Sequence, residues 1–244
     1  MSKKMKKRKM RYSKWVDFKN PSSILYKGIV KGYRVAIVNC FMRNPSAYVM
    51  VREENAKYIE FLLDCHGSVT FNGTGYFNNG EKATVGHRYI GWDYAHMCDY
   101  TPPFISDDPF IPDDPVTKFL YTEFGRTRLK HTTEQVYNDI IKAVKEIKLI
   151  EEAAGLYRFE YSSDIEYFEI GSNDHNEYQS ERFQDLLNAE LNDLPLTSWQ
   201  ELVVNGLKSV GYTDKTRRTK IYIYVLRILQ HERFNREERG EEHD

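Results

Sequence analysis

Residues 132–150, TTEQVYNDIIKAVKEIKLI, decide the fold. Thr132 and Gln135 have the spacing of a capping box, in which a hydroxyl at the helix start takes a main-chain amide and the residue three on returns the bond. Behind the cap, Val136, Ile140, Ala143, Val144, Ile147 and Ile150 recur every three or four residues, so one side of a helix is apolar along its length. A stripe this wide has to be buried, and the upstream sequence supplies a sheet for it. Residues 33–38 and 47–51 are strand-forming runs on either side of the turn 43–46, and read as a hairpin within an extended stretch from Ile24 to Val51. Residues 69–77 and 87–92 read as further strands, with a turn at Asn78, Asn79 and Gly80. A short helix over 53–63 is expected from Ala56, Ile59, Leu62 and Leu63.

Downstream of that helix, which the reading ends near Gly155, the texture changes. Residues 156–170 alternate apolar and acidic positions, the pattern of a hairpin or edge strands, and 176–191 read helical with Phe183, Leu186, Leu187 and Leu191 inward. Pro195 closes that segment. Ser198 and Glu201 are taken as a second capping box, opening a helix with Trp199, Leu202, Val203 and Leu207, and a last helix is expected over 214–236. Residues 101–115 hold five prolines among Asp107, Asp108, Asp113 and Asp114, which predicts an acidic surface loop. The expected class is α+β: a mainly antiparallel N-terminal sheet packed by a long amphipathic helix, then an α-rich C-terminal extension. The expected organisation is a basic arm over 1–14, an α+β domain over 15–155 and a mainly helical region over 156–244.

Composition narrows the function classes. The 244 residues are 41% hydrophobic and 29% charged, ordinary for a globular chain able to bury a core without disulfides or metal, and 18 tyrosines and 13 phenylalanines add contact surface. No apolar run approaches the roughly 20 residues of a membrane span, so no membrane partner is expected. The basic N-terminus has no apolar segment behind it, so no secretory signal is expected, and Cys40, Cys65 and Cys98 form no CxxC pair. Reduced thiols and a cytoplasmic location follow, in the host cytoplasm if the chain is phage-encoded.

The charge is uneven. Lys3, Lys4, Lys6, Lys7, Arg8, Lys9, Arg11 and Lys14 are eight of the 35 basic residues, leaving 27 against 36 acids in the rest of the chain. Charges this dense repel, so the arm is expected to order only against an anionic surface, as a phosphate-binding arm or as a solubilising tail. In the last helix Arg217, Lys220, Tyr224 and Arg227 share one face. Such a stripe attracts phosphates, and a tyrosine among cations can stack on an exposed base. Trp199 and Lys208 can extend it. Charged stripes are also ordinary solvated faces, and Glu232, Glu237 and Glu238 offset the charge. The two helices around Gly211 have helix-turn-helix spacing, but without a recognition face.

Asp93, His96 and Asp99 follow i, i+3, i+6 spacing, which on a helix or tight turn gathers them within about 120° of one face. One imidazole and two carboxylates form a hard, oxygen-rich set suited to Mn²⁺, Mg²⁺ or Fe²⁺, or with His66 a borderline Zn²⁺ site, and Gly67 lets a ligand approach the backbone. No cofactor is required by this reading; a divalent metal is the one it permits. The same residues also suit a structural His–Asp pair, since a carboxylate often fixes a buried imidazole. Cys65 and His66 are read as strand neighbours pointing to opposite faces, which argues against a thiol–imidazole pair.

The blocks His66-Gly67-Ser68-Val69-Thr70-Phe71-Asn72-Gly73 and Gly91-Trp92-Asp93-Tyr94-Ala95-His96-Met97-Cys98-Asp99 resemble paired blocks in a family of uncharacterised bacteriophage and plasmid proteins. There the pattern is HGG, an aliphatic residue, T, an aromatic, any residue and G, then later G, an aromatic and DxxHxxD. The likeness covers about residues 45–100 and extends toward the Thr132 helix, and Ser68 departs from the second glycine. It implies a mobile-element origin. The resemblance does not itself imply an activity; small accessory proteins of that origin commonly act by binding and blocking host machinery, CRISPR effectors included, so an anti-CRISPR-like, counter-defence inhibitor is expected by analogy alone. Three function classes follow: a protein engaging RNA or a host ribonucleoprotein through basic termini, a metal-dependent hydrolase of a nucleotide or phosphodiester, and a protein-binding module that uses the acidic loop 107–114.

Overall fold

A computed structural model describes residues 24–39, 44–75, 82–94, 131–163 and 174–238. The basic arm, Cys40, the segment from 95 to 130 with His96, Cys98, Asp99 and the acidic loop, and Glu237's side chain lie outside the described positions. The chain divides into two compact units, Met1–Ala56 with Asp64–Val144, and Lys57–Leu63 with Lys145–Asp244. The class is α+β, as expected.

The first unit holds a five-stranded sheet of β1 (Ile24–Val30), β2 (Tyr33–Asn39), β3 (Pro45–Arg52), β4 (Phe71–Gly73) and β5 (His87–Asp93), antiparallel throughout in the order β1-β2-β3-β5-β4. β1 and β2 meet in a two-residue turn where Lys31 and Gly32 have φ of 49° and 93°. Two positive φ values in succession match the right-handed twist of the paired strands, which is why so short a turn closes this hairpin. Along β2 and β3 neighbouring residues are buried on both sides of the sheet. Val35, Val49 and Ile90 lie in register on one side, and Ala36 and Tyr48 on the other. A strand covered on both sides reads as a continuous apolar run, and this gives residues 35–38 their Val-Ala-Ile-Val texture.

Gly91 of β5 sits opposite Tyr48 and Phe71, whose rings meet edge to face at 5.4 Å. A β-carbon at Gly91 would come within 2.7 Å of the Tyr48 ring and 2.9 Å of the Ala47 carbonyl oxygen. Only glycine fits beneath that ring.

Helix α1 (Glu53–Leu62) begins in the first unit, and α2 (Thr133–Ser163) passes from the first to the second. The α2 capping box is present: the Gln135 amide donates to Thr132 Oγ1 at 3.2 Å, and the Thr132 amide donates to Gln135 Oε1 at 2.8 Å. Its first turns meet the sheet, with Tyr137 edge-on to Tyr26 of β1 at 4.9 Å. The helix does not stop near Gly155 but continues to Ser163, where a hairpin or edge strand was expected. The buried stripe carries on through Ala153, Ala154 and Tyr157, and Tyr157 packs edge-on to Tyr58 of α1 at 6.2 Å. That packing outweighs the roughly 1 kcal/mol a helical glycine costs relative to alanine.

The rest of the second unit comprises α3 (Asp174–Leu191), α4 (Ser198–Ser209) and α5 (Lys215–Glu238). The cap of α4 lies one residue earlier than Ser198: Thr197 and Gln200 form the reciprocal box, because Gln200, not Glu201, occupies the third helical position. Just past the end of α4, Gly211 has φ 100°, and the amides of Gly211 and Tyr212 return to the carbonyls of Lys208 and Leu207. Arg218 of α5 is buried and forked on Glu190 of α3, Nε to Oε2 at 2.9 Å and Nη2 to Oε1 at 3.2 Å. Its remaining nitrogen, Nη1, donates to the carbonyls of Tyr212 at 2.9 Å and Thr213 at 2.7 Å. One guanidinium thereby ties α3, the α4–α5 connection and α5 together.

Gly91→Ala is expected to lower stability by about 1–3 kcal/mol, the usual range for overpacking a filled interior. Thermal unfolding checks this, and an unchanged melting temperature would show that Tyr48 has room to move.

Candidate functional site

The described parts of the two sequence blocks, residues 66–73 and 91–94, lie side by side in space. β4 pairs with β5, Phe71 opposite Gly91, and the Thr70 amide donates to the Gly91 carbonyl at 2.9 Å. Thr70 Oγ1 also donates to Asp93 Oδ2 at 2.8 Å, so that carboxylate is held at the end of β5. Gly67 and Ser68 both have positive φ, 64° and 75°. Serine thus stands in a left-handed conformation that glycine adopts freely. Cys65 and His66 sit in the turn after α1, not in a strand, so the alternation expected of strand neighbours does not apply to them.

His66 stacks on the buried ring of Tyr94 at 4.5 Å and 11°, and His131, just ahead of α2, completes the group at 4.9 Å from His66 and 4.7 Å from Tyr94. The Tyr94 hydroxyl accepts from Trp92 Nε1 at 3.2 Å and donates to Asp139 Oδ2 of α2 at 3.1 Å. Burial pushes the Tyr94 phenol well above its ordinary value against the Trp92 hydrogen bond, and the Asp139 charge adds to the rise. The phenol therefore stays protonated and acts as a fixed donor. Neither Tyr94 nor His131 was singled out in the sequence; the signal for Tyr94 is its place next to Asp93 at the close of β5. Among the described residues no group of three or more His, Cys, Asp or Glu side chains is arranged to hold a metal. His96 and Asp99, half of the expected metal set, lie outside those residues.

On α5 the expected basic stripe divides. Lys220 and Arg227 are exposed, and neither makes an ion pair among the described residues. Tyr224 donates its hydroxyl to Glu146 Oε1 of α2 at 2.7 Å, and Arg217 lies over the Tyr212 ring at 4.5 Å while its charge acts on Glu152. Those two border the stripe; they do not project from it. Trp199 is covered by Arg182, whose guanidinium lies 4.1 Å from the ring centroid, so Trp199 is not an open stacking surface on that side. Lys208 is exposed on α4.

The outward line of α5 runs through Thr216, Lys220, Ile223, Arg227, Gln230 and Phe234, all exposed, and contains no acid. Glu238 is exposed one turn beyond it. Glu232, expected to offset the basic charge, is turned away: its carboxylate takes a 2.6 Å bond from Lys57 of α1, and its side chain is only 12% exposed. Burial alone would raise the Glu232 pKa, but the hydrogen bond and charge of Lys57 outweigh it and hold the carboxyl below its ordinary value. No family model, curated protein or solved structure matches the chain.

No described helix is long and apolar enough to cross a membrane. Aromatic groups missed in the sequence border the basic line: Phe61 of α1 stacks on His231 of α5 at 4.3 Å and 19°. Its signal was an apolar residue outside the inward stripe of Ala56, Ile59 and Leu62.

Tyr94→Phe keeps the ring stack but leaves Trp92 Nε1 without its acceptor and Asp139 Oδ2 without the phenol's donation, and is expected to lower stability by about 1–3 kcal/mol. A phenol whose pKa is raised by folding stabilises the fold fully below its unfolded pKa and loses that contribution as pH rises through the folded one. Tyr94→Phe should therefore also flatten the loss of stability above about pH 10. Denaturant unfolding across neutral and alkaline pH measures both effects.

Proposed function

We propose that this chain is a binding protein of bacteriophage or plasmid origin that engages RNA, or a host ribonucleoprotein through its RNA, and acts as a counter-defence inhibitor. The observation that carries the RNA-binding part is the acid-free outward line of α5 from Thr216 to Phe234, with Lys220 and Arg227 projecting from it. Those two residues are seven apart on the helix, about 10 Å along its axis. Cations at that interval can meet phosphates of one strand without being neutralised by each other's partners. Among the described residues neither is drawn into an ion pair, in contrast to Arg218 and Lys57.

The inhibitory role rests on the likeness of the His66–Gly73 and Gly91–Asp99 blocks to proteins of mobile elements. Blocking a host complex by occupying its RNA needs no chemistry from this chain, only a surface that competes for a polyanion. The basic arm over 1–14 supplies eight more cations to the same task.

Lys220→Ala and Arg227→Ala are each expected to weaken binding to a short fluorescein-labelled single-stranded RNA. Each should also reduce the slope of log affinity against log salt by about 0.7, the value for one phosphate contact on a single strand. Lys142→Ala, an exposed cation of α2 paired with Asp139, serves as the control and should leave both unchanged. An unchanged slope in the Lys220→Ala/Arg227→Ala double variant, measured by fluorescence anisotropy across a salt series, would contradict the reading.

A further inference from the structure

We propose that the RNA held by α5 is single-stranded, with unpaired bases seated on an aromatic platform of Phe61, His231 and Phe234 while its phosphates meet Arg227 and Lys220. This rests on the RNA-binding reading above and deepens it. Phe61 remains 55% exposed although its ring is stacked on His231, and Phe234, three residues beyond His231, is 56% exposed. Arg227 lies four residues before His231, so cation and platform adjoin on neighbouring turns of one helix.

The platform is built, not incidental. Lys57 and Phe61 are four apart on α1 and so share a face; the Lys57–Glu232 bond at 2.6 Å holds that face to α5 at the residue next to His231. Asn235 Nδ2 lies 3.0 Å from His231 Nε2 and fixes the imidazole plane on which Phe61 rests. Phe61 and His231, held this way, lose little freedom when a base stacks on them, so that part of the contact is made by preorganised groups.

Duplex RNA keeps the faces of its bases inside its own stack and offers protein mainly phosphates and 2′-hydroxyls, so an aromatic platform adds nothing to its binding. Unpaired bases have free faces, and each one stacked on an aromatic side chain contributes enough to change affinity about tenfold. The pairing of exposed rings with flanking cations therefore selects for single strands.

The test uses the full chain and three labelled probes of equal length: a single-stranded RNA, the blunt duplex of the same sequence, and a single strand whose central nucleotides are abasic. The expected result is that the intact single strand binds more tightly than either of the others. Phe61→Ala and Phe234→Ala should each weaken single-strand binding about tenfold and leave duplex binding unaltered. Phe61→Trp should retain affinity, and its fluorescence should be quenched by the base-bearing strand and not by the abasic one. Circular dichroism and melting temperature verify that the alanine variants are folded. Equal binding of all three probes, with both alanine variants unaffected but Lys220→Ala/Arg227→Ala weakened, overturns the single-strand inference and leaves the phosphate-binding reading standing. Binding of no probe overturns both.

Discussion

The forked pairing of Arg218 with Glu190 sets the orientation of α5, and with it the face that the helix turns outward. Both side chains are almost fully buried, so each must be satisfied within the protein. Two parallel bonds to the carboxylate and two more to the carbonyls of Tyr212 and Thr213 do so. A guanidinium with its nitrogens engaged in this way admits one rotation of the helix about its axis. Removing either partner from such a pair typically costs about 3–5 kcal/mol, because the remaining charge is stranded. With Arg218, Ile221, Tyr222, Val225 and Leu229 fixed inward, Lys220, Ile223, Arg227 and Phe234 face solvent by helical geometry alone.

Much of this was legible in the sequence, and the reasons for the exceptions are specific. Strands and the Thr132 cap were readable because they depend on near neighbours: short apolar runs bounded by turns, and a hydroxyl three residues from its amide. Gly155 read as a helix end because local propensity says so, but tertiary burial of Ala153, Ala154 and Tyr157 carries α2 onward. The α4 cap slipped by one residue because Thr197 and Ser198 are both good caps, and only the position of Gln200 separates them. Adjacent arginines are indistinguishable by composition. Arg217 was expected on the functional face and Arg218 was passed over, whereas the structure makes Arg218 the structural anchor. Tyr224 was expected to be open for stacking, but Glu146, 78 residues away in sequence, takes its hydroxyl. The Phe61–His231 stack joins residues 170 apart, a separation no local pattern encodes.

The His66 cluster and the α5 face illustrate two uses of aromatic groups. Around Tyr94, rings and hydrogen bonds close on one another: His66 and His131 pack on the ring, while Trp92 and Asp139 engage the hydroxyl. That arrangement fastens the turn after α1 and the start of α2 to the end of β5. Around Phe61 the stack is half open, and Arg227, which makes no ion pair among the described residues, lies one turn before His231 on α5. A closed cluster organises a fold, whereas an open one bordered by positive charge is available to a ligand that has both flat faces and phosphates.

Photo-crosslinking of the full chain to a single-stranded RNA bearing 4-thiouridine, followed by peptide mapping, locates the contact without altering any side chain. The account predicts adducts on the α1 peptide that contains Phe61 and on α5 between Thr216 and Phe234, suppressed by high salt. Adducts confined to the sheet or to the His66–Tyr94 region, with α1 and α5 unmarked, would contradict it.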